Sequence, residues 1–221
     1  MSRIGPSRSK ALTPSGCCGV SAARAFTFCL AVLLLLAAPQ SSAEVAPHPP
    51  EPSSYRMDNY REPTPATLRG ARVIDTDEAR RMWLDKSAVF IDATPRPPKP
   101  ANIPAGTIWR DQPRINIPGS AWLVDVGYGA ISRERDAYFR SWLQKLTGGD
   151  KGRAIVFYCK AACWMSWNAA KRAIEEYGYA NVLWYPEGTD GWQAQSLALE
   201  EDQPEPVLPG ARSDATVTPS R

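Results

Sequence analysis

Between residues 67 and 197 the chain alternates short apolar runs with stretches of helical periodicity. "ARVID" (71–75) reads as a short strand. Thr76 then caps a helix in which Ala79, Met82 and Trp83 recur at helical spacing. "AVFIDA" (88–93), "RAIVFYC" (153–159) and "NVLWY" (181–185) are continuous apolar runs of strand length. "RDAYFRSWLQKL" (135–146) places Phe139, Trp142, Leu143 and Leu146 on one helical face, and "TGGDKG" ends it. "SWNAAKRAIEEYGY" (166–179) predicts a helix with Ser166 as N-cap, Trp167, Ala170, Ile174 and Tyr177 inward, and Gly178 closing it. Residues 94–122 are too proline-rich for regular structure and predict a long surface loop. The β-α-β alternation predicts an α/β fold, a central parallel sheet flanked by helices on both faces.

The two ends differ from this middle. Residues 1–43 carry Arg3, Arg8, Lys10 and Arg24 without an acid, then the apolar run "AFTFCLAVLLLLAA", then small residues at Ser41 and Ala43. That order predicts a secretory signal peptide cut after Ala43, an exported, periplasmic protein, and no stable membrane anchor after cleavage. Residues 44–66 hold six prolines and predict a poorly ordered lead-in. Residues 198–221, rich in Pro and charge, predict a disordered tail, leaving 67–197 as one domain. The leader takes four of the 26 basic residues and none of the 23 acidic ones, so the mature chain has net charge −1. The basic pI belongs to the leader, and nothing calls for a nucleic-acid partner.

Cleavage also changes the cysteine count. Cys17, Cys18 and Cys29 leave with the leader, while Cys159 and Cys163 remain. The single histidine, His48, lies in the lead-in, so a Cys–His dyad inside residues 67–197 is excluded. Cys159 ends a buried strand, and a loop turns from it into a helix N-terminus. Backbone N–H groups, the helix dipole and Lys160 then favour a thiolate, with Lys160, Ala161, Ala162, Trp164, Met165 and Ser166 forming an anion-binding surround. Cys163 is the auxiliary thiol. On a regular helix residues four apart keep their Cβ atoms ~5–6 Å apart, against ~3.8 Å in a disulfide, so loop geometry decides whether the two sulfurs pair. Covalent haem attachment needs a His where Trp164 stands, and zinc needs more soft ligands than two, so neither haem nor a metal is expected. A cysteine phosphatase needs Arg six residues after its nucleophile, where this chain has Met165. Trp167 and Trp184 read as core, while Trp164 could shield the sulfur or contact a flat ligand such as a quinone.

The segments "VIDTDEARRMW", "VFIDA", "NIPGSAW", "IVFYC" and "NVLWYPEGTDGW" together resemble the rhodanese-like domain, over about residues 56–193. More narrowly, "YCKAACWMSWNAAKR" with "WYPEGTDGW" is similar to the exported CXXCW-motif family associated with PQQ-dependent alcohol catabolism. The resemblance implies that Cys159 carries sulfur as a covalent persulfide. It implies structural roles near the site for Asp92 and Trp192, and structural roles for the turn Pro118–Gly119 and for Gly188 and Gly191. The chain departs from it in having "IN" before the Ile-Pro-Gly turn, and in placing Cys163, Trp164 and Met165 where the active loop often holds Arg. The expected function is sulfur transfer or thiol chemistry through Cys159, with a sulfur donor or acceptor thiol as partner. The alternatives are a periplasmic dithiol redox or accessory protein for PQQ-dependent dehydrogenases, and a catalytically inactive binding module. PQQ itself is not an expected ligand.

Overall fold

The computed structural model describes residues 48–98, 100–104, 106–108 and 113–209. The leader 1–43 therefore lies outside the described residues. Among those described, no helix is long and apolar enough to cross a membrane.

Five parallel strands form the central sheet in the order β1-β6-β5-β2-β4: β1 (Ala71–Val73), β6 (Val182–Tyr185), β5 (Ile155–Tyr158), β2 (Val89–Asp92) and β4 (Ala121–Trp122). Every adjacent pair is parallel, and Asp92 is level with Tyr158 on one side and Trp122 on the other. Strands buried on both faces need apolar residues throughout, which is why β5 and β6 are continuous apolar runs. Their side chains still alternate between two layers. Ile155 and Phe157 face a layer with Phe139, Trp142 and Leu143 of α2 (Arg133–Thr147) and Trp167, Ala170 and Ala173 of α3 (Trp164–Glu175). Val156 and Tyr158 face a second layer with Ala79 of α1 (Thr76–Leu84) and Trp192 of α4 (Gly188–Ala194). The sheet is thus flanked by helices on both faces, as the alternation predicts.

Four local expectations are corrected. Asp75, not Thr76, caps α1: its carboxylate accepts the N–H of Glu78 at 2.8 Å. The Thr76 hydroxyl, inside the helix, bonds instead to Tyr185 Oη at 2.7 Å and to Glu187. Ser166 is not the cap of α3. Cys163 takes that position and the helix begins at Trp164, because the chain turns back immediately after a short loop.

The third correction is the 94–122 segment, which contains two strands. β3 (Arg114–Asn116) pairs antiparallel with β7 (Glu200–Asp202), and β4 extends the central sheet. Gly119, at φ +74°, makes the turn between β3 and β4.

The fourth correction concerns both ends of the domain. Residues 198–209 form an arm on the domain and not a disordered tail. Beyond β7, Glu205 donates its N–H to Trp122 O at 3.0 Å and so covers the open edge of β4. Tyr138 Oη donates to Glu205 O at 3.0 Å, and Trp142 Nε1 to Pro206 O at 2.8 Å. The proline-rich lead-in has no helix or strand between residues 48 and 66, yet it is a fixed strap. Arg56 exchanges two hydrogen bonds with the fully buried Asn168, N–H to Oδ1 at 3.0 Å and Nδ2 to its carbonyl at 2.9 Å. Proline-rich composition removes backbone donors and regular structure; side chains of α3 supply the missing partners here.

Candidate functional site

Cys159 follows the last residue of β5, at the carboxyl end of the sheet. Its carbonyl accepts the N–H of Thr189 at 3.0 Å, and Lys160 forms a bridge with Gly188. A Cβ at position 188 would collide with that same carbonyl, so glycine is required there, and its φ of +53° suits only glycine well. The chain then turns through Lys160, Ala161 and Ala162. Ala162 sits at φ +48°, a left-handed conformation that costs a residue with a Cβ about 1–2 kcal/mol. This tight turn brings Cys163 back, and a disulfide joins Cys159 to Cys163 with a Cα–Cα distance of 6.5 Å. The question that spacing left open is settled by loop geometry, because Cys163 precedes the helix and is not held in its register. Both sulfurs are buried with Met165, and Tyr60 of the strap packs against the three.

The expected anion-binding surround has a different occupant. The N–H of Ala161 donates to the Asp190 carboxylate at 3.1 Å, and the N–H of Trp164 donates to Tyr60 O at 2.9 Å. These two amides are bound to the protein's own oxygens, so they do not cradle the sulfur. Lys160 is exposed beside the loop. The Sγ of Cys159 lies 3.4 Å from Cys163 O and 3.6 Å from Lys160 O. It also lies 3.2 Å from the Ser166 hydroxyl, which accepts Trp184 Nε1–H at 3.1 Å.

Trp164 is buried, and it does not offer a face to a flat ligand. Its Nε1–H donates to Pro63 O at 3.1 Å, its ring packs edge-to-face on Trp167 at 5.4 Å, and Arg56 stands 5.2 Å from its centroid. Trp192 is buried in the second layer against Trp83, with Nε1 bonded to Ala198 O. It supports the fold and is not among the neighbours of the sulfurs.

Asp92 is fully buried at the end of β2, and a buried carboxylate needs partners. It accepts the N–H of Thr94 at 2.8 Å and Arg114 Nε at 2.6 Å. Arg114 Nη2 reaches Thr189 Oγ1 at 3.3 Å, and that hydroxyl reaches the Cys159 carbonyl at 3.4 Å. The acid is thereby linked through Arg114 and Thr189 to the backbone of the cysteine. A cleft of about 270 Å³ at the carboxyl ends of β2, β4 and β5 is lined by Thr94, Arg114, Trp122 and Lys160.

Sequence reasoning missed Arg114, Thr189, Asp190 and Tyr60. The buried acid at 92 was itself a signal that an arginine must lie close, but nothing in the sequence said which. Among the described residues no three His, Cys, Asp or Glu side chains gather into a metal site.

The architecture is that of an α/β domain with a cysteine turn at the carboxyl edge of a parallel sheet. Residues 75–195, more than half of the chain, match the family model of the rhodanese-like domain, and the chain belongs to that family. Similar solved structures include the crystal structure of thiosulfate sulfurtransferase from Pseudomonas aeruginosa, 18% identical with a TM-score of 0.41. That likeness covers 62% of this chain and 21% of the other, so this chain spans about a fifth of that protein. The solution structure of the 30 kDa polysulfide-sulfur transferase homodimer from Wolinella succinogenes is 17% identical with a TM-score of 0.37, covering 59% of this chain and 79% of the other. No curated protein matches the chain.

Proposed function

We propose that the protein is an exported sulfur carrier whose Cys159 accepts a sulfane sulfur and whose Cys163 discharges it. The observation that carries this reading is the disulfide between a strand-end cysteine and the helix-capping cysteine, in a rhodanese-like domain. Cys159 thiolate attacks the outer sulfur of a persulfide or thiosulfate donor. A Cys159–S–S⁻ bond forms and the donor leaves as thiolate or sulfite. Cys163 thiolate then attacks Cys159 Sγ, hydrosulfide leaves, and the disulfide results. Alternatively an acceptor thiolate takes the outer sulfur directly and Cys159 thiolate is restored. Each route conserves sulfur and electrons, and reduction of the disulfide by thiols resets the first.

The export part of the proposal rests on the cationic and apolar N-terminal pattern. Service to PQQ-dependent alcohol catabolism rests on the resemblance of "YCKAACWMSW" and "WYPEGTDGW" to the CXXCW-motif family. The disulfide taken without the family also supports a second reading, a periplasmic dithiol that exchanges electrons with a dehydrogenase or its maturation partners.

Intact mass after reduction, removal of reductant and incubation with thiosulfate or cysteine persulfide separates the two. The Cys163→Ser variant should gain the mass of one sulfur atom on Cys159, and wild type should release hydrosulfide and return to the disulfide. A Cys163→Ser protein that gains no sulfur from either donor overturns the carrier and leaves the redox reading.

A further inference from the structure

Ser166 and Trp184 are both buried beside Cys159. Trp184 Nε1–H donates to Ser166 Oγ at 3.1 Å, and a hydroxyl has one proton of its own to place. Within reach of that proton are Cys159 Sγ at 3.2 Å and the Cys163 carbonyl at 3.5 Å. In the disulfide Sγ carries no hydrogen, so only the hydroxyl can donate across that contact. Its one proton, which lies toward the Cys163 carbonyl in the disulfide, is free to turn to Sγ once that atom becomes a thiolate. The two other polar atoms beside the sulfur, Cys163 O and Lys160 O, are carbonyl oxygens and repel a thiolate. The amides of Ala161 and Trp164 are occupied. Ser166 thus stands as the donor closest to the sulfur among the contacts described.

We propose that the Ser166 hydroxyl, oriented by Trp184, stabilises Cys159 as thiolate and so fixes the direction in which the disulfide opens. Cys163 is the sulfur that is attacked and Cys159 the sulfur that leaves. The proposal rests on Cys159 as the reactive sulfur and adds the group that makes it so. Cys163 retains 3% exposure and Cys159 none, which agrees with attack at Cys163. The thiolate of a small thiol attacks Cys163 Sγ and the S–S bond breaks. The electron pair passes to Cys159 Sγ, which accepts the Ser166 hydrogen bond, and a mixed disulfide remains on Cys163. A second thiolate attacks the outer sulfur of that mixed disulfide, giving the oxidised small thiol and Cys163 thiolate, which is protonated by water.

Ser166 is the catalytic donor here and Trp184 a positioning residue. Two measurements test them without any sulfur donor, so a failure of persulfide formation would not imitate their failure. The first is the pH dependence of iodoacetamide alkylation of Cys159 under phosphine reductant, in the Cys163→Ser background. Ser166→Ala should raise the midpoint by about one unit, a tenfold loss of thiolate below it. Ser166→Thr should restore it, and Trp184→Phe should raise it by less than Ser166→Ala. The second is the site of the mixed disulfide formed with limiting glutathione, quenched in acid and located by tandem mass spectrometry. It should lie on Cys163. A midpoint unmoved by Ser166→Ala overturns the proposal, as does a mixed disulfide on Cys159. If Ser166→Ala does not fold, an unmoved midpoint in Trp184→Phe overturns it instead.

Discussion

The carbonyl of Tyr60 accepts the N–H of Trp164 at 2.9 Å, so the strap occupies the first amide of the helix that starts directly after Cys163. Its ring also packs on the two sulfurs and Met165, held by a hydrogen bond from the N–H of Gly129 to Tyr60 Oη at 3.1 Å. A thiol that attacks the disulfide must first move this residue. Tyr60→Ala leaves the backbone carbonyl in place but removes the cover. Reduction by dithiothreitol, followed by quenched alkylation and mass spectrometry, should run about tenfold faster in the variant, equivalent to ~1.4 kcal/mol of barrier. Equal rates would mean that the strap does not limit access.

Asp92 and Arg114 form an ion pair in which the acid is fully buried and the arginine nearly so. Breaking such a pair from one side strands the other charge, which typically costs about 3–5 kcal/mol. Asp92→Ala should lose about that much in urea unfolding, and a double change with Arg114→Met should recover part of it. A single variant within about 1 kcal/mol of wild type would show that water reaches the guanidinium, and that the link from β2 to the Cys159 carbonyl carries little energy.

The parts of the fold legible in the sequence are those whose residues report their own environment. "IVFY" and "VLWY" have no polar alternative to burial, and the Phe139, Trp142, Leu143 stripe can face only a core. The position of the Cys159 turn at a strand end is legible for the same reason. What stayed hidden depends on partners distant in sequence. "EED" at residues 200–202 has poor strand propensity and becomes β7 because β3 offers it an edge. The proline-rich lead-in is fixed by Asn168, about a hundred residues away. Ser166 has good cap chemistry, but the tight turn at Ala162 gives the cap position to Cys163 and turns the serine toward the sulfur. The occupancy of the loop amides is not legible, because the sequence does not show that Asp190 and Tyr60 O reach them first.

The C-terminal arm covers the β4 edge and satisfies the polar atoms of two buried aromatic residues, Tyr138 and Trp142. Deleting residues 198–221 removes β7 and those acceptors together. Each lost hydrogen bond costs ~1 kcal/mol before the apolar contacts of Leu208 are counted. The melting temperature should fall by at least about 5 °C. Calorimetry that finds the truncated protein as stable as the full chain would return residues 198–209 to the status of a tail.

Trp192→Ala should cost about 3–5 kcal/mol, since a fully buried indole is removed from the second layer along with its bond to Ala198 O. Its effect should fall on stability alone. The reduction rate of the Cys159–Cys163 disulfide, measured below the unfolding transition, should stay at the wild-type value, because Trp192 and the sulfurs belong to different clusters. A large change in that rate in folded protein would instead place Trp192 in the site.

Asp136 and Tyr177 give the fold a pH dependence at both ends. The Tyr177 hydroxyl donates to Asp136 Oδ1 at 2.7 Å, and Arg140 Nε donates to Oδ2 at 2.7 Å. Burial opposes the charge on Asp136, but the hydrogen bonds from Arg140 and Tyr177 outweigh it and hold the carboxyl below its usual range. Its folded pKa is therefore below the unfolded one. The stability it contributes is fully present above the ordinary aspartate value of about 4 and is lost as pH falls through the lower folded value. Burial raises Tyr177, and the bond to Asp136 raises it further, which is the opposite case. That contribution is present below the ordinary tyrosine value of about 10 and is lost as pH rises. Asp136→Asn should therefore be less stable than wild type at about pH 7, with the gap closing toward about pH 2. Tyr177→Phe should also be less stable near neutrality, with its gap closing in alkali. Urea midpoints across the range test both. A gap between Asp136→Asn and wild type that widens as pH falls would reverse the sign and remove the carboxylate from the account.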